Sequence, residues 1–392
     1  MGPPAHGGHC VARHEGRVVF VRHALPGEQV RAVVTEGGDG SSFWRADAVE
    51  VRTASPSRVQ PPCPWAGPGR CGGCDLQHAS LPAQRSWKAA VVREQLLRLA
   101  GLDWPVDVQE VPGATDGLGW RTRVRYAVDD NGRAGLLRHR SHDLVPIDRC
   151  RIAHALVDAT EVTARTWAGT RSVVVAASVT RGQTLVLPDG RGAGSVTEVV
   201  GGRLFRVSGG GFWQVHPGAA DALVAAVLDG LEAQPGESAL DLYAGVGLFA
   251  AFLAPAVGPS GRVTVVESDS MAAQDARDNL ADLATVRVER GRVDHVLRRL
   301  RLRRTDLVVL DPPRSGAGRT VVDLIARLAP RRVAYVSCDP AALGRDLRWF
   351  ADRGLRLVDL QAFDLFPMTA HVECVAVLAR GTGEARPTRS AG

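Results

Sequence analysis

Two residues near the carboxyl end of the chain have side chains suited to covalent and acid–base chemistry. Cys338 lies in Tyr335-Val-Ser-Cys338-Asp339-Pro340, where Asp339 is a suitable N-cap and Pro340 a suitable first residue for a helix. Because a helix dipole favours a thiolate at its N-terminus, the Cys338 thiol is expected to ionise readily. Glu373 begins an apolar segment, where loss of water would raise its pKa and suit it to accept a proton. The two residues therefore predict a nucleophile and a base.

A glycine-rich loop predicts a cofactor site. The segment Asp241-Leu-Tyr-Ala-Gly245-Val-Gly247-Leu-Phe-Ala250 ends a predicted strand and opens a predicted helix. Its glycines allow a sharp turn and a close approach of ligand to backbone, and the helix N-terminus offers free N–H groups. Glu267 ends the next predicted strand, where a carboxylate can accept hydrogen bonds from ribose hydroxyls. This pattern predicts an adenosine-type cofactor and leaves S-adenosylmethionine (SAM) and NAD both open.

Two further segments border the same predicted crevice. Asp311-Pro-Pro-Arg314 follows the fourth strand-like segment of this region, and the carboxyl ends of strands line the ligand crevice of open α/β sheets. Phe212-Trp-Gln214 precedes a predicted helix and supplies stacking surface and one amide. The aromatic residues of the second segment are equally consistent with a place in the core.

Four of the seven cysteines form a candidate metal site. Cys63, Cys71 and Cys74 cluster within 12 residues, and Cys150 follows at a distance. In a cytosolic protein such a set favours metal binding over disulfides. Four thiolates suit both structural zinc and a [4Fe–4S] cluster. Zinc ribbons usually have two CxxC pairs and this chain has one, but the residues alone leave both metals open.

The elements that must position these residues alternate between strand and helix from residue 208 onward. Such alternation predicts a parallel sheet with helices on both faces. The last two segments lack an intervening helix and are expected to form an antiparallel hairpin, which gives a seven-strand doubly wound, Rossmann-like fold over residues 208–380. The strand-like segments are Ala239–Tyr243, Arg262–Glu267, Thr285–Glu289, Asp306–Asp311, Arg332–Ser337, Arg356–Ala362 and His371–Ala379.

The first half of the chain predicts two smaller, mostly β units. Short β-branched segments separated by turn formers in residues 1–55 predict a small OB-like barrel. Residues 56–207 are predicted to form a central domain that carries the cysteines, with a helix at 81–100 packing on the Rossmann-like domain of residues 208–380. Alternation places Arg121, Arg123 and Arg125 on one strand face, where they are expected to face a nucleic-acid partner. The tail, 381–392, is predicted to be disordered.

The composition of the chain bears on its binding partners and on its location in the cell. The 392 residues carry a formal charge of +6, and arginine supplies it, since Lys88 is the single lysine. Arginine favours a nucleic-acid partner, while GC-rich coding explains the same bias equally well. No apolar segment has the length of a membrane span and no signal pattern opens the chain, so a cytoplasmic location without membrane contact is expected.

Together these segments resemble the RNA uracil-C5 methyltransferase family, which comprises the tRNA and 23S rRNA (uracil-5-)-methyltransferases. The matching strings are GGFWQVHPGAA, LDLYAGVGLF, VVESD, LDPPRSG, YVSCDPAAL and FPMTAHVE, in the family's order. The resemblance spans the chain from His6 to about Ala379. The N-terminal unit is similar to the TRAM domain, a small RNA-binding β-barrel.

The resemblance implies a role for each matching residue. Cys338 would be the nucleophile and Glu373 the base that removes the C5 proton. The SAM contacts would be Gln214, Tyr243, Glu267 and Asp311, in a loop shaped by Gly245 and Gly247. CPxxxxxxxCGGC with a later DRC is the family's iron–sulfur form, which favours [4Fe–4S] over zinc at Cys63, Cys71, Cys74 and Cys150. Leu248 departs from the family, in which this position is often polar, so a side-chain contact with SAM is not expected there.

The implied reaction has a chemical logic of its own, because C5 of uracil is a poor nucleophile. Thiolate addition at C6 creates an enolate whose C5 attacks the methyl group, and a base then removes the C5 proton. An NAD-dependent oxidoreductase is the second hypothesis, and a non-catalytic RNA-binding protein is the third. The expected enzyme is a monomer acting on tRNA or 23S rRNA, and the sequence does not distinguish between these RNAs.

Overall fold

The computed structural model describes residues 1–114 and 116–381. Its N-terminal unit is a five-stranded sheet. Its order is β1-β2-β3-β5-β4, and only β3 and β5 are parallel. Val19, Val21 and Ala46 of its inner face pack against Trp87 and Val91 of the following helix. The bounds are β1 (Pro4–Ala5), β2 (His9–His14), β3 (Arg17–Arg22), β4 (Gln29–Glu36) and β5 (Phe43–Thr53).

A long helix joins this sheet to the rest of the chain. Helix α1 (Leu81–Gln95) continues as a π-helical turn (Leu96–Ala100) and ends at Gly101, whose φ of 68° is the left-handed conformation that glycine adopts without strain. Strand β6 (Val108–Glu110) follows. Val92 and Leu96 lie in one apolar cluster with Leu343 of the catalytic domain, so the helix packs on that domain.

The central unit is mostly β, with a sheet of order β11-β10-β7-β8-β9 and a separate hairpin of β12 and β13. Short helical turns at Ala155–Asp158 (α2) and Val162–Ala164 connect β9 to β10. The strands are β7 (Arg123–Val128), β8 (Ala134–Leu137), β9 (Leu144–Pro146), β10 (Ser172–Ser178), β11 (Gln183–Pro188), β12 (Ser195–Val200) and β13 (Arg203–Ser208).

The catalytic domain has the predicted doubly wound α/β fold, with one difference in strand number. Its sheet runs β16-β15-β14-β17-β18-β20-β19-β6, so it has eight strands rather than seven. The extra strand, β6, pairs in parallel with the end of β19 and has only three residues, too few to show periodicity. The elements are α3 (Ala219–Leu231), β14 (Ser238–Leu242), α4 (Leu248–Val257), β15 (Arg262–Glu267), α5 (Ser270–Asn279), β16 (Val286–Arg290), α6 (Val293–Leu300), β17 (Leu307–Leu310), α7 (Gly318–Arg327), β18 (Arg332–Ser337), α8 (Pro340–Ala351), β19 (Leu355–Asp364) and β20 (Glu373–Arg380).

The core of this domain lies on both faces of the sheet. Strand β17 is Leu-Val-Val-Leu and is buried along its whole length, as expected for a central parallel strand. Burial of each such side chain stabilises the fold by roughly 1.5–3 kcal/mol. The residues of the predicted tail after Gly381 lie outside the described residues. Within the described ranges no helix has both the length and the apolar character needed to cross a membrane.

Candidate functional site

Cys338 and Glu373 are brought together by the register of two neighbouring strands. β18 and β20 are antiparallel, and their last registered pair is Ser337 with Cys374. The next opposite positions in this register are Cys338 and Glu373. Because opposite residues of an antiparallel pair project to the same face, the two side chains are neighbours at the carboxyl end of β18. Two motifs that are 35 positions apart in sequence therefore form one site.

The Cys338 thiol lies at the expected helix N-terminus but is not activated by it. The predicted cap is confirmed, since the Asp339 carboxylate accepts a hydrogen bond of 2.7 Å from the Ala342 N–H. The protein groups alone do not lower the thiol pKa as expected. Burial, followed by the nearby carboxylates of Glu373 and Asp311, raises the pKa of Cys338 to about 12. These effects outweigh the helix N-terminus and the opposing charge of Arg314.

The carboxyl groups of Glu373 and Asp311 lie close enough for the charge of Asp311 to affect the pKa of Glu373. Glu373 is 4% exposed, and its burial, strengthened by the nearby charge of Asp311, raises its pKa well above the usual range. Burial likewise raises the pKa of Asp311 to about 7. Because the two groups repel each other when both are ionised, one of them tends to hold a proton at neutral pH.

Arg314 and His371 complete the polar surroundings, and the sequence assigned neither a role. The Arg314 Nη2 atom lies 3.3 Å from His371 Nε2. Burial and the nearby Arg314 charge lower the pKa of His371 to about 4, so the imidazole is neutral at physiological pH. Arg314 also opposes the rise in the Glu373 pKa. Both residues lie within motifs that were recognised, DPPR and FPMTAHVE, but their contact required the fold.

The glycine-rich loop has the geometry of a ligand cradle. Gly245 and Gly247 have φ values of 56° and 88°, and a Cβ atom on Gly247 would lie 2.6 Å from Leu280 Cδ1. A Cβ atom on Gly245 would meet nothing within 4 Å, so space is open beside this residue. Asp241 accepts a hydrogen bond of 2.8 Å from the Ala250 N–H through Oδ2, while its buried Oδ1 has no partner among the described residues. An unpartnered buried carboxylate oxygen is a feature expected where a polar ligand binds.

The other predicted cofactor residues lie around this loop, and they differ in how far their polar groups are already hydrogen-bonded. Glu267 accepts hydrogen bonds from the Gly245 N–H at 2.8 Å and the Asp269 N–H at 2.7 Å. Its carboxylate keeps lone pairs for a further donor. Tyr243 is half-buried in the loop with a φ of 60°. The buried Gln214 side chain makes no hydrogen bond to a described residue, which leaves its amide available.

The four predicted metal-binding cysteines are free thiols that line one pocket. Burial and the neighbouring thiol of Cys150 raise the pKa of Cys74, which agrees with their closeness. Within the described residues, no three or more His, Cys, Asp or Glu side chains converge as they would around one metal ion. The positions of the thiols therefore do not by themselves show a metal centre.

The three predicted arginines alternate with buried residues, as expected, but they differ in exposure and contacts. Arg123 is partly buried, with 10% of its side chain exposed, and pairs with Glu198 at 3.6 Å. It also donates a hydrogen bond of 3.1 Å to the Gly211 carbonyl. Arg121 lies before β7 and lines the cysteine pocket, while Arg125 is exposed. Alternation alone could not reveal the ion pair of Arg123 with the distant Glu198, and a contact of all three arginines with nucleic acid stays a prediction.

Known proteins are similar to this chain over nearly its whole length. A family model for the TRAM domain matches residues 2–43, and one described as tRNA (Uracil-5-)-methyltransferase matches residues 197–381. An RNA methyltransferase of Streptomyces avermitilis is 50% identical over 96% of both chains. The chain belongs to the RNA (uracil-5-)-methyltransferase family. Another relative, an RNA methyltransferase of Bifidobacterium longum, is 38% identical over 95% of this chain and 94% of its own.

A solved structure agrees with the fold of this RNA methyltransferase. The tRNA (uracil-54, C5)-methyltransferase of Pyrococcus abyssi, in complex with S-adenosyl-L-homocysteine, superposes with a TM-score of 0.68 and 23% identity, covering 92% of this chain and 95% of that one. The predicted SAM-methyltransferase fold with an N-terminal TRAM domain is thereby confirmed. The chain is a SAM-dependent RNA methyltransferase, so the oxidoreductase and the non-catalytic RNA-binding protein are excluded.

Proposed function

We propose that this RNA methyltransferase methylates C5 of uracil, with Cys338 as the nucleophile and Glu373 as the general base. The observation that carries the proposal is the shared cross-strand position of the two residues at the carboxyl edge of the sheet. A thiol and a carboxyl group side by side can act on the two adjacent carbons C6 and C5 of one ring. The target base must leave its stack to reach them, at a cost of a few kcal/mol.

The chemical steps follow from these two side chains. The Cys338 thiolate adds to C6, and the electron pair of the C5–C6 double bond moves toward the C4 oxygen as an enolate. SAM supplies the methyl group that C5 then attacks. The Glu373 carboxylate removes the remaining C5 proton, the C5–C6 double bond forms again, and the Cys338 thiolate leaves. The sulfur–carbon bond to Cys338 is thus formed and broken within one cycle, and the demethylated cofactor would leave as S-adenosylhomocysteine. Once Glu373 passes the C5 proton to water, the enzyme returns to its starting state.

The charges of the protein groups around Cys338 indicate when its thiol becomes reactive. Burial and the carboxylates of Glu373 and Asp311 keep the thiol protonated. A positive charge bound among these groups would favour both the thiolate and the ionised carboxylates. Cys338 is therefore expected to gain reactivity when the cationic cofactor is present.

The proposed SAM contacts surround the loop between β14 and α4. Glu267 and Gln214 offer acceptor and amide groups, and Asp311 lies near enough to Cys338 for its charge to act on the thiol. Support comes from the open side of Gly245 and the unpartnered Asp241 Oδ1. Leu248 is 7% exposed and packs in the core, so it offers no polar contact. The proposed contacts are Gln214, Tyr243, Gly245, Gly247, Glu267 and Asp311.

We also propose a [4Fe–4S] cluster at Cys63, Cys71, Cys74 and Cys150. The four thiols are unpaired and line a common pocket, and this donor set fits an iron–sulfur cluster. Each cysteine would bind a different iron, so the four sulfur atoms need not converge on one point as they do around zinc. Arg121, Arg149 and Arg151 line the same pocket and would offset the negative charge of a thiolate-bound cluster.

The proposed substrate is tRNA or 23S rRNA, and nucleoside mass spectrometry of the separated pools tests it. Cells lacking the gene should lose 5-methyluridine from one pool, and the wild-type gene should restore it. The Cys338→Ala gene should not restore 5-methyluridine. The Cys10→Ala gene, which changes a buried thiol of the N-terminal sheet, should restore it. Unchanged 5-methyluridine in both pools would refute the uracil assignment.

A further inference from the structure

Lys88 is exceptional in this chain by both composition and position. It is the single lysine among 48 basic residues, and its side chain is 0% exposed. GC-rich coding accounts for arginine at the other basic positions, but it does not account for a lysine. A lysine at a fully buried position therefore indicates a requirement for the smaller ammonium group, which arginine does not meet.

The partners of Lys88 lie at the end of β19 and in the hairpin loop that joins β19 to β20. Its ammonium group donates hydrogen bonds to Asp364 Oδ1 at 2.5 Å and to the Phe366 carbonyl at 3.0 Å. One helical turn earlier, the Gln84 amide oxygen accepts a hydrogen bond of 2.7 Å from the Met368 N–H. Helix α1, which precedes the catalytic domain in sequence, thus holds one end of this loop through two side chains on one face.

This loop ends at Glu373. Phe363 and Glu373 are the pair that closes the hairpin, and Asp364 is the next residue after Phe363. Asp364 is 3% exposed, so its charge depends on Lys88 for compensation. A shift of Asp364 would move the closing pair and, with it, the carboxyl group of Glu373. The contacts of Lys88 therefore fix the backbone from which the proposed base projects.

We propose that Lys88 is a positioning residue for Glu373, placing its carboxylate for removal of the C5 proton. This assignment rests on the proposed function, in which Glu373 is the base. Lys88 contacts Asp364 where the loop leaves β19. It has no part in thiolate addition, because Cys338 lies at the end of a different strand, β18. Loss of Lys88 should thus slow proton removal more than it slows formation of the covalent enzyme–RNA intermediate.

The test separates these two steps in single-turnover reactions of the full-length enzyme. The substrate is total RNA from cells that lack the gene, labelled with tritium at C5 of uridine. Tritium release reports proton removal, and an RNA-bound protein band on a denaturing gel reports the covalent intermediate. The variants are Lys88→Met, Lys88→Arg and the double variant Lys88→Met with Asp364→Leu. Arg93→Met, on the exposed side of the same helix, is the matched control.

We expect both Lys88 substitutions to slow tritium release by about 10- to 100-fold, since misplacement of a reacting group by about 1 Å has such an effect. The covalent intermediate should form at nearly the wild-type rate and accumulate, and Arg93→Met should behave as wild type. The double variant leaves no buried unpaired charge, so it should fold if Lys88→Met does not, and it should show the same slow release.

Three results would overturn the assignment, each in a different way. Tritium release at the wild-type rate by the folded double variant would show that Lys88 only neutralises Asp364. An equal slowing of both steps would show a general structural role. Wild-type enzyme that forms no covalent intermediate and releases no tritium would overturn the proposed function itself, and this assignment with it.

Discussion

His6 of the N-terminal unit lies 3.3 Å from the carboxylate of Asp339, the residue that follows Cys338. Asp339 also caps helix α8, so one carboxylate joins the RNA-binding unit to the turn that carries the proposed nucleophile. Burial tends to raise the Asp339 pKa, but hydrogen bonds from His6 and the Ala342 N–H lower it overall. The carboxylate is therefore ionised and suited to both contacts.

His6→Ala should weaken methylation modestly. The pair is partly exposed, so its loss should cost about 0.5–1 kcal/mol, or about a two- to fivefold fall in kcat/KM for RNA. Steady-state kinetics with labelled SAM measures this effect. His14→Ala, at an exposed site of the same sheet, is the control. An equal fall in both variants would indicate a general loss of RNA affinity by the N-terminal unit.

Glu373→Gln and Cys338→Ala should stop the reaction at different points. Without the base, the methylated RNA should remain attached to Cys338, and turnover should fall by about 10²–10⁴-fold. Without the thiol, no attachment should occur. Denaturing gels and mass spectrometry of the trapped peptide distinguish the two results. Attachment of RNA to Cys338→Ala would show that another residue is the nucleophile.

The raised pKa of Cys338 predicts that the reactivity of its thiol depends on the cofactor. The ligand-free thiol, with a pKa of about 12, should react slowly with iodoacetamide near neutral pH. The cationic SAM should accelerate alkylation more than neutral S-adenosylhomocysteine does, because only the cation favours the thiolate. Peptide mass spectrometry at Cys338 gives the rate, and the fully buried Cys374 is an internal control. Equal rates with both ligands would contradict the electrostatic explanation.

Asp241 should make the ligand-free enzyme less stable as the pH rises. Burial raises its folded-state pKa to about 8, whereas the unfolded carboxyl group ionises near pH 4. The folded state therefore binds more protons between these values, and its free energy of unfolding falls as pH rises from about 4 to about 8. Asp241→Asn should flatten this slope in thermal unfolding, and exposed Asp130→Asn should not. An unchanged slope would show that Asp241 is ionised in the fold.

The sequence predicted the alternating strands and the motifs at their carboxyl ends because each depends on local periodicity and residue type. It could not predict that Cys338 lies opposite Glu373, since the β18–β20 register depends on where the hairpin closes. The sequence also could not predict the Lys88–Asp364 pair, because 276 positions separate the two residues. A lone lysine among arginines was visible as a composition signal, but only the fold shows its partners.

Loss of the proposed cluster should disturb the active site through the cysteine segment. The Leu76 N–H, two residues after Cys74, donates a hydrogen bond of 3.0 Å to the Met368 carbonyl in the loop that leads to Glu373. Cys74→Ser should remove iron and sulfide, reduce the thermal stability of the protein, and slow turnover. Cys374→Ser, which changes a buried thiol outside the pocket, should keep its full iron content. Iron and sulfide analysis with absorption spectroscopy of anaerobically purified protein makes the comparison. Zinc in place of iron would contradict the cluster assignment, because the same four thiolates can hold structural zinc. Full iron and sulfide content in Cys74→Ser would contradict it as well, because the cluster would then have a different set of ligands.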